Sequence, residues 1–275
     1  MTLLARNEAD IISANIDFHI AQGVDLIIAM DNLSSDETAQ LLRDYERQGL
    51  VHYLSQPDDN YMQHRWVSGM ARLAVAKFDA DWVINSDADE FWCPDAGDLK
   101  QVLKAIPPCY DAVEVERTNF VPRSTQSGQF FAEIMTVRER RSVNALGEPL
   151  PGKICHRGFS DIEVAQGNHA VHRRGHECAL TRAPITILHF PMRSYRQFAD
   201  KIALGGAAYA RNTDLPASTG STWRHLYQVW QRGELKDYFL TTIPSEMDIE
   251  RGLQDGRFIR DTRLAEFFGY GPQHK

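Results

Sequence analysis

Two carboxylates, Asp87 and Asp89, follow the apolar run WVIN and are separated by a single alanine. A D-x-D pair at the end of a strand brings both carboxylates to one side of a turning chain, where they can share a divalent cation. Mg²⁺ and Mn²⁺ prefer such oxygen ligands, and the bound ion neutralises charge on a nucleoside diphosphate leaving group. A lone D-x-D triplet also occurs in solvated loops, so its position in the fold decides between the two interpretations.

A second polar pair, Asp31 and Asn32, ends the apolar run VDLIIAM of residues 24–30. Ligands of open α/β sheets bind beyond the carboxyl ends of the strands. We therefore expect this pair at the same edge as Asp87 and Asp89, where Asp31 can hydrogen-bond a base or a ribose. The alternative is a loop residue that satisfies its own backbone in an Asx-turn.

The elements that position these side chains alternate along the first third of the chain. Short apolar runs are separated by helical stretches, which is typical of parallel strands joined by crossover helices. The sequence predicts an α/β fold with a mostly parallel central sheet flanked by helices. Strands are expected at residues 2–5, 24–30, 50–54 and 81–85.

Residues that begin or end helices support this pattern. Asn7 is expected to cap the first helix, and Gly23 to end it, because a helix often ends at a residue that tolerates positive φ. Ser34 and Glu37 form a potential capping box for the second helix, which Gly49 ends. A third helix is expected from about residue 62 to residue 78.

The rest of the chain is less regular. A short helix near 99–105 precedes segments of β character, and further helices are expected at 194–211 and from residue 222 onward. This indicates a mixed β and helical C-terminal part. We expect one domain over residues 1–275, made of two halves at 1–95 and 96–275, the second of which includes the C-terminal helices.

Composition excludes several classes of protein. The 275 residues are 43% apolar and carry a net charge of −7, which favours a folded core and gives no general attraction to nucleic acid. No run approaches the roughly 18 apolar residues of a transmembrane helix, and the start MTLLARNEAD lacks the layout of a signal peptide. The four cysteines form no C-x-x-C pair, which indicates reduced thiols. We expect a cytoplasmic protein.

The runs ARNEAD, MDNLSSDET and WVINSDADEF, in that order, resemble the nucleotide-binding half of family 2-like glycosyltransferases. Those enzymes have the GT-A fold, which is Rossmann-like, and one branch has a metal motif that reads D-x-D-E-F. The later run LHFPMRSYRQFADK is similar to a histidine-plus-basic segment of that branch. The resemblance implies a metal-dependent transfer of a sugar from a nucleotide donor, commonly a UDP-sugar, to an acceptor hydroxyl, with Mn²⁺ or Mg²⁺ as cofactor.

The resemblance also implies roles for individual residues. Residues 1–95 are then the nucleotide-sugar-binding half, and residues 96–275, including the C-terminal helices, are the acceptor-side half. Those implied at the donor pocket are Arg6, Asn7, Glu8 and Asp31, and Asn32 is predicted there from its position beside Asp31. Those implied to serve the metal are Asp87, Asp89 and the late histidine His189. Those implied on the diphosphate side are Arg193, Ser194 and Lys201, and cations near a helix N-terminus attract anions. The alternatives are a buried structural histidine at 189 and a solvated helix surface at Lys201.

An inverting transferase needs a base within hydrogen-bond reach of the acceptor hydroxyl, and chain order does not reveal that geometry. The candidates are Glu90, Asp161, Glu163, His169 and Glu177. The segment GNHAV is similar to a glycine-histidine feature of the same branch, so we predict catalytic roles for His169 and Glu90. A structural imidazole at His169 is the alternative.

Two other constellations offer competing interpretations. His156, His169, His172 and His176 lie between Cys155 and Cys178, a density that suggests zinc, but their spacing does not match structural zinc sites. A polar, basic loop over the acceptor cleft is the alternative to zinc. Arg65 can reach a phosphate from the start of the third helix, whereas its neighbour Trp66 belongs to an apolar face.

The leading hypothesis is therefore a metal-dependent glycosyltransferase with a carbohydrate or glycolipid acceptor, in the synthesis of bacterial surface polysaccharide or glycoconjugates. One alternative is a non-catalytic protein that binds sugar nucleotides. Another is phosphoryl transfer by an aspartyl nucleophile in the DADE turn, although such a nucleophile normally follows an early strand.

Overall fold

The computed structural model describes residues 1–124, 129–216 and 218–270. The strands are β1 (Thr2–Ala5), β2 (Ile27–Asp31), β3 (Val51–Ser55), β4 (Trp82–Asp87), β5 (Glu90–Pro94), β6 (Ala112–Asn119), β7 (Val137–Glu139), β8 (Lys153–Arg157), β9 (Ile162–Val164), β10 (Val171–Arg173), β11 (Leu180–His189) and β12 (Phe258–Arg260). The helices are α1 (Ile12–Ala21), α2 (Thr38–Arg47), α3 (Gln63–Phe78), α4 (Leu99–Lys104), α5 (Phe131–Ile134), α6 (Tyr195–Arg211), α7 (Ser221–Gln231), α8 (Leu235–Thr241), α9 (Glu246–Gln254) and α10 (Arg263–Phe267).

The main sheet has eight strands in the order β3-β2-β1-β4-β8-β6-β11-β5. Neighbouring strands from β3 to β4 are parallel, whereas β8 is antiparallel to both β4 and β6. The predicted α/β fold is thus confirmed, with its parallel half built from the first four strands. The register pairs Ala5 of β1 with Asp31 and Leu4 with Asp87, so the two acidic strand ends flank the end of β1.

Helix α3 packs its apolar side on the sheet. Its Val67, Met70 and Ala71 are buried in one cluster with Ile28 of β2 and Val83 of β4. Burying a side chain of this size stabilises the fold by about 1.5–3 kcal/mol. The cluster therefore holds α3 on the sheet, with Gln63 at the start of the helix close to Asp87 at the end of β4.

The predicted helix ends are confirmed, whereas two predicted caps are wrong. Gly23 and Gly49 have positive φ just beyond α1 and α2, as expected. Asn7 does not cap α1: its side-chain Oδ1 accepts a hydrogen bond from Ser35 N at 2.7 Å. The hydroxyl of Ser34 accepts the Asn7 N–H at 2.9 Å, so it does not form the capping box either. A contact between two loops at the sheet edge replaces both local caps.

The chain forms two compact units. The first contains Met1–Arg117 with Pro151–Ile187, and the second contains Thr118–Leu150 with Leu188–Lys275. The predicted division into donor and acceptor halves at residue 95 concerns function and stays a prediction. Within the described ranges, no helix is both long and apolar enough to cross a membrane.

The second unit is mainly helical. Phe198 and Ile202 of α6 are buried against Leu226 of α7 and Phe239 of α8. Ser194 caps α6 as its hydroxyl accepts Gln197 N–H at 3.1 Å, which agrees with the helix predicted from residue 194. Strands β7 and β12 pair antiparallel in the same unit.

Candidate functional site

Asp87 ends β4 with a carboxylate that is held from three sides. Its Oδ2 lies 2.6 Å from Lys153 Nζ, and its Oδ1 accepts hydrogen bonds from Gln63 Nε2 at 3.2 Å and Asn168 Nδ2 at 3.4 Å. The side chain keeps 31% of its surface exposed. Asp87 is thus fixed in position and still accessible to a ligand.

Glu90 and two cations lie behind Asp87 in the interior of the first unit. Glu90 Oε1 is 3.1 Å from both Lys153 Nζ and Arg117 Nη1, and Glu90 Oε2 accepts the Asp87 N–H at 3.3 Å. The side chains of Glu90 and Lys153 are 0% and 1% exposed. Buried charges persist only when they are paired in this way. This geometry makes Glu90 a support of the turn.

The backbone of the D-x-D turn is fixed from α1. Asn15, which is fully buried, donates one hydrogen bond to Ala88 O at 3.0 Å and another to Glu90 O at 2.8 Å. Asp89 between these carbonyls is only 2% exposed. The turn is therefore rigid, and Asp87 is its more accessible carboxylate.

The end of β2 differs in its polar contacts. Asp31 is 5% exposed, and in the described part of the chain its buried Oδ1 has no hydrogen-bond partner. Asn32 beside it donates to Gln56 O at 3.0 Å and Asp58 O at 2.7 Å, which ties down the loop after β3. Asp31 thus has an unused acceptor, whereas Asn32 is used structurally.

The segment after β1 contributes one cation. Arg6 Nη1 lies 2.6 Å from Asp59 Oδ1, and its Nε is buried without a hydrogen-bond partner among the described residues. Glu8 is buried, and its backbone N–H donates to Thr38 Oγ1 at 2.9 Å. Arg65 lies exposed in the first turn of α3.

His169 follows a tight turn at residues 166–168, in which Gly167 and Asn168 both have positive φ. Its Nδ1 lies 2.7 Å from Gly152 O, so Nδ1 carries the proton and the Nε2 lone pair is left as an acceptor. Burial, followed by the nearby Lys153 ammonium, lowers the pKa of His169 to about 4. The imidazole is therefore neutral near pH 7.

The remaining predicted residues belong to the second unit. His189 Nδ1 lies 2.7 Å from Asn119 Oδ1, Arg193 is 3% exposed and donates to Phe190 O at 3.0 Å, and the Lys201 ammonium lies 6.0 Å from the Trp223 ring centre. The hydroxyl of Ser194 is used as the cap of α6.

No group of three or more His, Cys, Asp or Glu side chains in residues 1–124, 129–216 and 218–270 is arranged to hold a metal ion. The zinc alternative for the four clustered histidines is therefore wrong. One of them, His156, is fully buried with its Nδ1 2.7 Å from Arg157 O. The metal role of Asp87, Asp89 and His189 stays a prediction.

Sequence reasoning missed Lys153, Arg117, Gln63 and Asn168. Lys153 opens the buried strand KICHR, and lysine is almost never fully buried unless it is paired. Its partners lie 63 and 66 residues earlier in the chain, and no local pattern links them.

Comparisons with known proteins give one assignment. No curated protein sequence matches the chain. Among solved structures, S. aureus TarS 1-349 in complex with UDP aligns with a TM-score of 0.44 and 12% identity, covering 84% of this chain and 71% of that one. The complex of TarS 1-349 with UDP-GlcNAc gives 0.43 and 11%, covering 88% and 80%. At these values the likeness carries no conclusion about ligands.

The family model of glycosyltransferase family 92 matches residues 2–249, which is most of the 275-residue chain. The expectation of a glycosyltransferase is confirmed, although the matching family is not the family 2-like branch that the motifs resemble. The chain belongs to glycosyltransferase family 92.

Proposed function

We propose that this glycosyltransferase takes its sugar from a nucleotide donor, a UDP-sugar, and transfers it to a hydroxyl of a carbohydrate or glycolipid acceptor. The observation that carries the proposal is the pair of strand ends beside β1, where Asp31 and Asp87 both stand. Ligands of open α/β sheets bind at this edge. In the proposal, the uridine lies at Asp31 and the diphosphate at Asp87.

A divalent cation, Mn²⁺ or Mg²⁺, is part of the proposal. Asp87 and Asp89 fit a portion of its coordination shell, because their carboxylate oxygens are its preferred ligands and Asp87 is 31% exposed. The donor's phosphates and water would complete the shell. The ion would act as a Lewis acid for the departing diphosphate.

Two buried polar atoms that have no hydrogen-bond partner in the described ranges support the position of the nucleotide. Asp31 Oδ1 needs a hydrogen-bond donor, such as a ribose hydroxyl or a uracil N–H, and Arg6 Nε needs an acceptor. Leaving a buried polar group without a partner costs about 1–3 kcal/mol. A bound nucleotide that supplies both partners recovers this free energy.

For the acceptor side we propose His169. Its neutral ring has Nδ1 fixed by Gly152 O, so Nε2 can accept a proton or a hydrogen bond from a hydroxyl. Glu90, the other predicted catalytic residue, has both oxygens engaged in the interior, and its proposed part is to hold Asp87.

The second-unit residues stay predictions from the resemblance. His189 is predicted as a third metal ligand, and the hydrogen bond between its Nδ1 and Asn119 orients the ring. Arg193, Ser194 and Lys201 are predicted on the diphosphate side, and Arg65 is a further candidate for a phosphate contact.

The test measures UDP release from UDP-glucose, UDP-galactose and UDP-N-acetylglucosamine with oligosaccharide and glycolipid acceptors, in MnCl₂ and in EDTA. We expect UDP release that needs Mn²⁺ and that Asp87→Asn lowers by about 100-fold or more. Binding of the sugar nucleotides without turnover on any acceptor would favour the non-catalytic alternative. Release of inorganic phosphate in place of UDP would favour phosphoryl transfer.

A further inference from the structure

Lys153 is a buried ammonium that the proposed donor site does not explain. We call Asp87, Glu90, Arg117 and Lys153 the charge cluster. Lys153 Nζ lies 2.6 Å from Asp87 and 3.1 Å from Glu90, and its side chain is 1% exposed. The lysine is too buried to bind a substrate directly. Whatever it does in the reaction, it does through Asp87 or Glu90.

Glu90 does not depend on Lys153 alone. Arg117 Nη1 also lies 3.1 Å from Glu90 Oε1, so the buried carboxylate has a second cation. Asp87 is 31% exposed and accepts hydrogen bonds from two side-chain amides, so water and those amides can serve it. Yet the shortest contact that Lys153 makes in the cluster is the one with Asp87.

The charges of the cluster cancel, with two carboxylates against two cations. Asp89 adds one more negative charge in the same turn, so a divalent cation that arrives alone leaves an excess of positive charge beside the ammonium. Like charges at such short range repel strongly where water is largely excluded. A diphosphate that arrives with the cation removes the excess.

We propose that Lys153 is a positioning residue that holds Asp87 as an internal counter-ion and makes binding of the divalent cation depend on the donor's diphosphate. The inference rests on the proposed donor site. The divalent cation and the diphosphate already favour each other's binding through their direct contact. Lys153 adds a second contribution to this coupling, because its charge disfavours the cation when the diphosphate is absent. By linkage, the cation and the diphosphate raise each other's affinity by the same factor.

The experiment titrates MnCl₂ calorimetrically into the full chain, with and without saturating UDP. In the wild type we expect UDP to raise the Mn²⁺ affinity about 100-fold, and in Lys153→Met about tenfold or less, because Mn²⁺ alone then binds more tightly. The control is Lys104→Met, which makes the same charge change at an exposed position of α4 and should keep the wild-type ratio.

An unchanged ratio in Lys153→Met overturns the inference, since a lysine that only supports the fold would leave the coupling as it is. If that variant does not fold, Lys153→Gln, which removes the ammonium charge but keeps a hydrogen-bond donor for Asp87, carries the same expectation. If the wild type and the control bind no UDP in MnCl₂, the donor site itself is contradicted, and the inference falls with it.

Discussion

The ends of β2 and β4 lie on either side of β1 and each carries an aspartate, yet the two carboxylates are treated differently. Asp87 receives an ammonium at 2.6 Å and two amide hydrogen bonds. Asp31 keeps a buried oxygen that no described residue contacts by a hydrogen bond. The fold compensates one carboxylate and leaves an oxygen of the other without a hydrogen bond from any described residue.

The difference separates two kinds of recognition. A compensated carboxylate binds a further cation only when additional negative charge comes with it, which suits a diphosphate. An uncompensated buried acceptor is satisfied by a neutral donor such as a hydroxyl or an N–H, which suits a nucleoside.

The largest effect is expected when Lys153 and Arg117 lose the buried carboxylate that both of them contact. Glu90→Ala leaves Lys153 and Arg117 in the interior with one carboxylate fewer, and breaking a buried pair costs about 3–5 kcal/mol of the free energy of unfolding. Urea unfolding followed by circular dichroism measures it. Glu116→Ala, at a glutamate that is 76% exposed and paired with Arg182, should cost less than about 1 kcal/mol. Equal costs would mean that the cluster is not an energetic unit.

Asp87→Asn is expected to lower kcat/KM for UDP release by about 100-fold or more. The neutral amide binds a divalent cation poorly, and the cation is what stabilises the charge of the departing diphosphate. The control Asp25→Asn, at a side chain that is 77% exposed, should retain activity. A folded Asp87→Asn protein within threefold of the wild type would contradict the assigned role.

The pH dependence of stability tests the neutral state of His169 beside the cluster. Its folded pKa of about 4 lies below the ordinary 6.5, so the unfolded chain binds more protons between these values. The contribution of neutral His169 to the free energy of unfolding is complete above pH 6.5 and is lost as the pH falls towards 4. Between pH 7 and pH 5, His169→Gln should lose about 2 kcal/mol less of its unfolding free energy than the wild type. Parallel curves for the two proteins would contradict the lowered pKa.

The smallest effect is expected at Asp31. Asp31→Asn exchanges one acceptor oxygen for a donor and should raise the KM for the nucleotide donor about tenfold, the effect of losing one hydrogen bond to a charged group. The melting temperature should stay within a few degrees, because Asp31 Oδ1 accepts no hydrogen bond from the described residues that the substitution could remove. An unchanged KM would remove Asp31 from the donor pocket.

Local patterns predicted much of the fold. Apolar runs predicted the four parallel strands, and Gly23 and Gly49 ended helices as expected. Asp31 and Asp87 follow two of these apolar runs, and the parallel topology brings both strand ends to the same edge of the sheet. The caps at Asn7 and Ser34 failed because these two residues bond to each other's loop. The sequence signature of a cap does not reveal that a partner 27 residues away competes for the same hydroxyl.

The charge cluster could not be predicted from the sequence either, because its contacts join residues that are far apart along the chain. Lys153 meets Asp87 only because β8 inserts antiparallel beside β4, a pairing between segments about 70 residues apart. Glu90 looked like an available base in the sequence, and only its burial and its two cations reveal a supporting position.

A crystal structure of the chain with MnCl₂ and UDP shows directly whether the ends of β2 and β4 bind the nucleotide donor. We expect a manganese anomalous peak in contact with an Asp87 carboxylate oxygen and with the diphosphate, and a hydrogen bond from the nucleoside to Asp31. Manganese and UDP bound elsewhere, with Lys153 still on Asp87 and Asp31 Oδ1 still unpartnered, would contradict the proposed donor site.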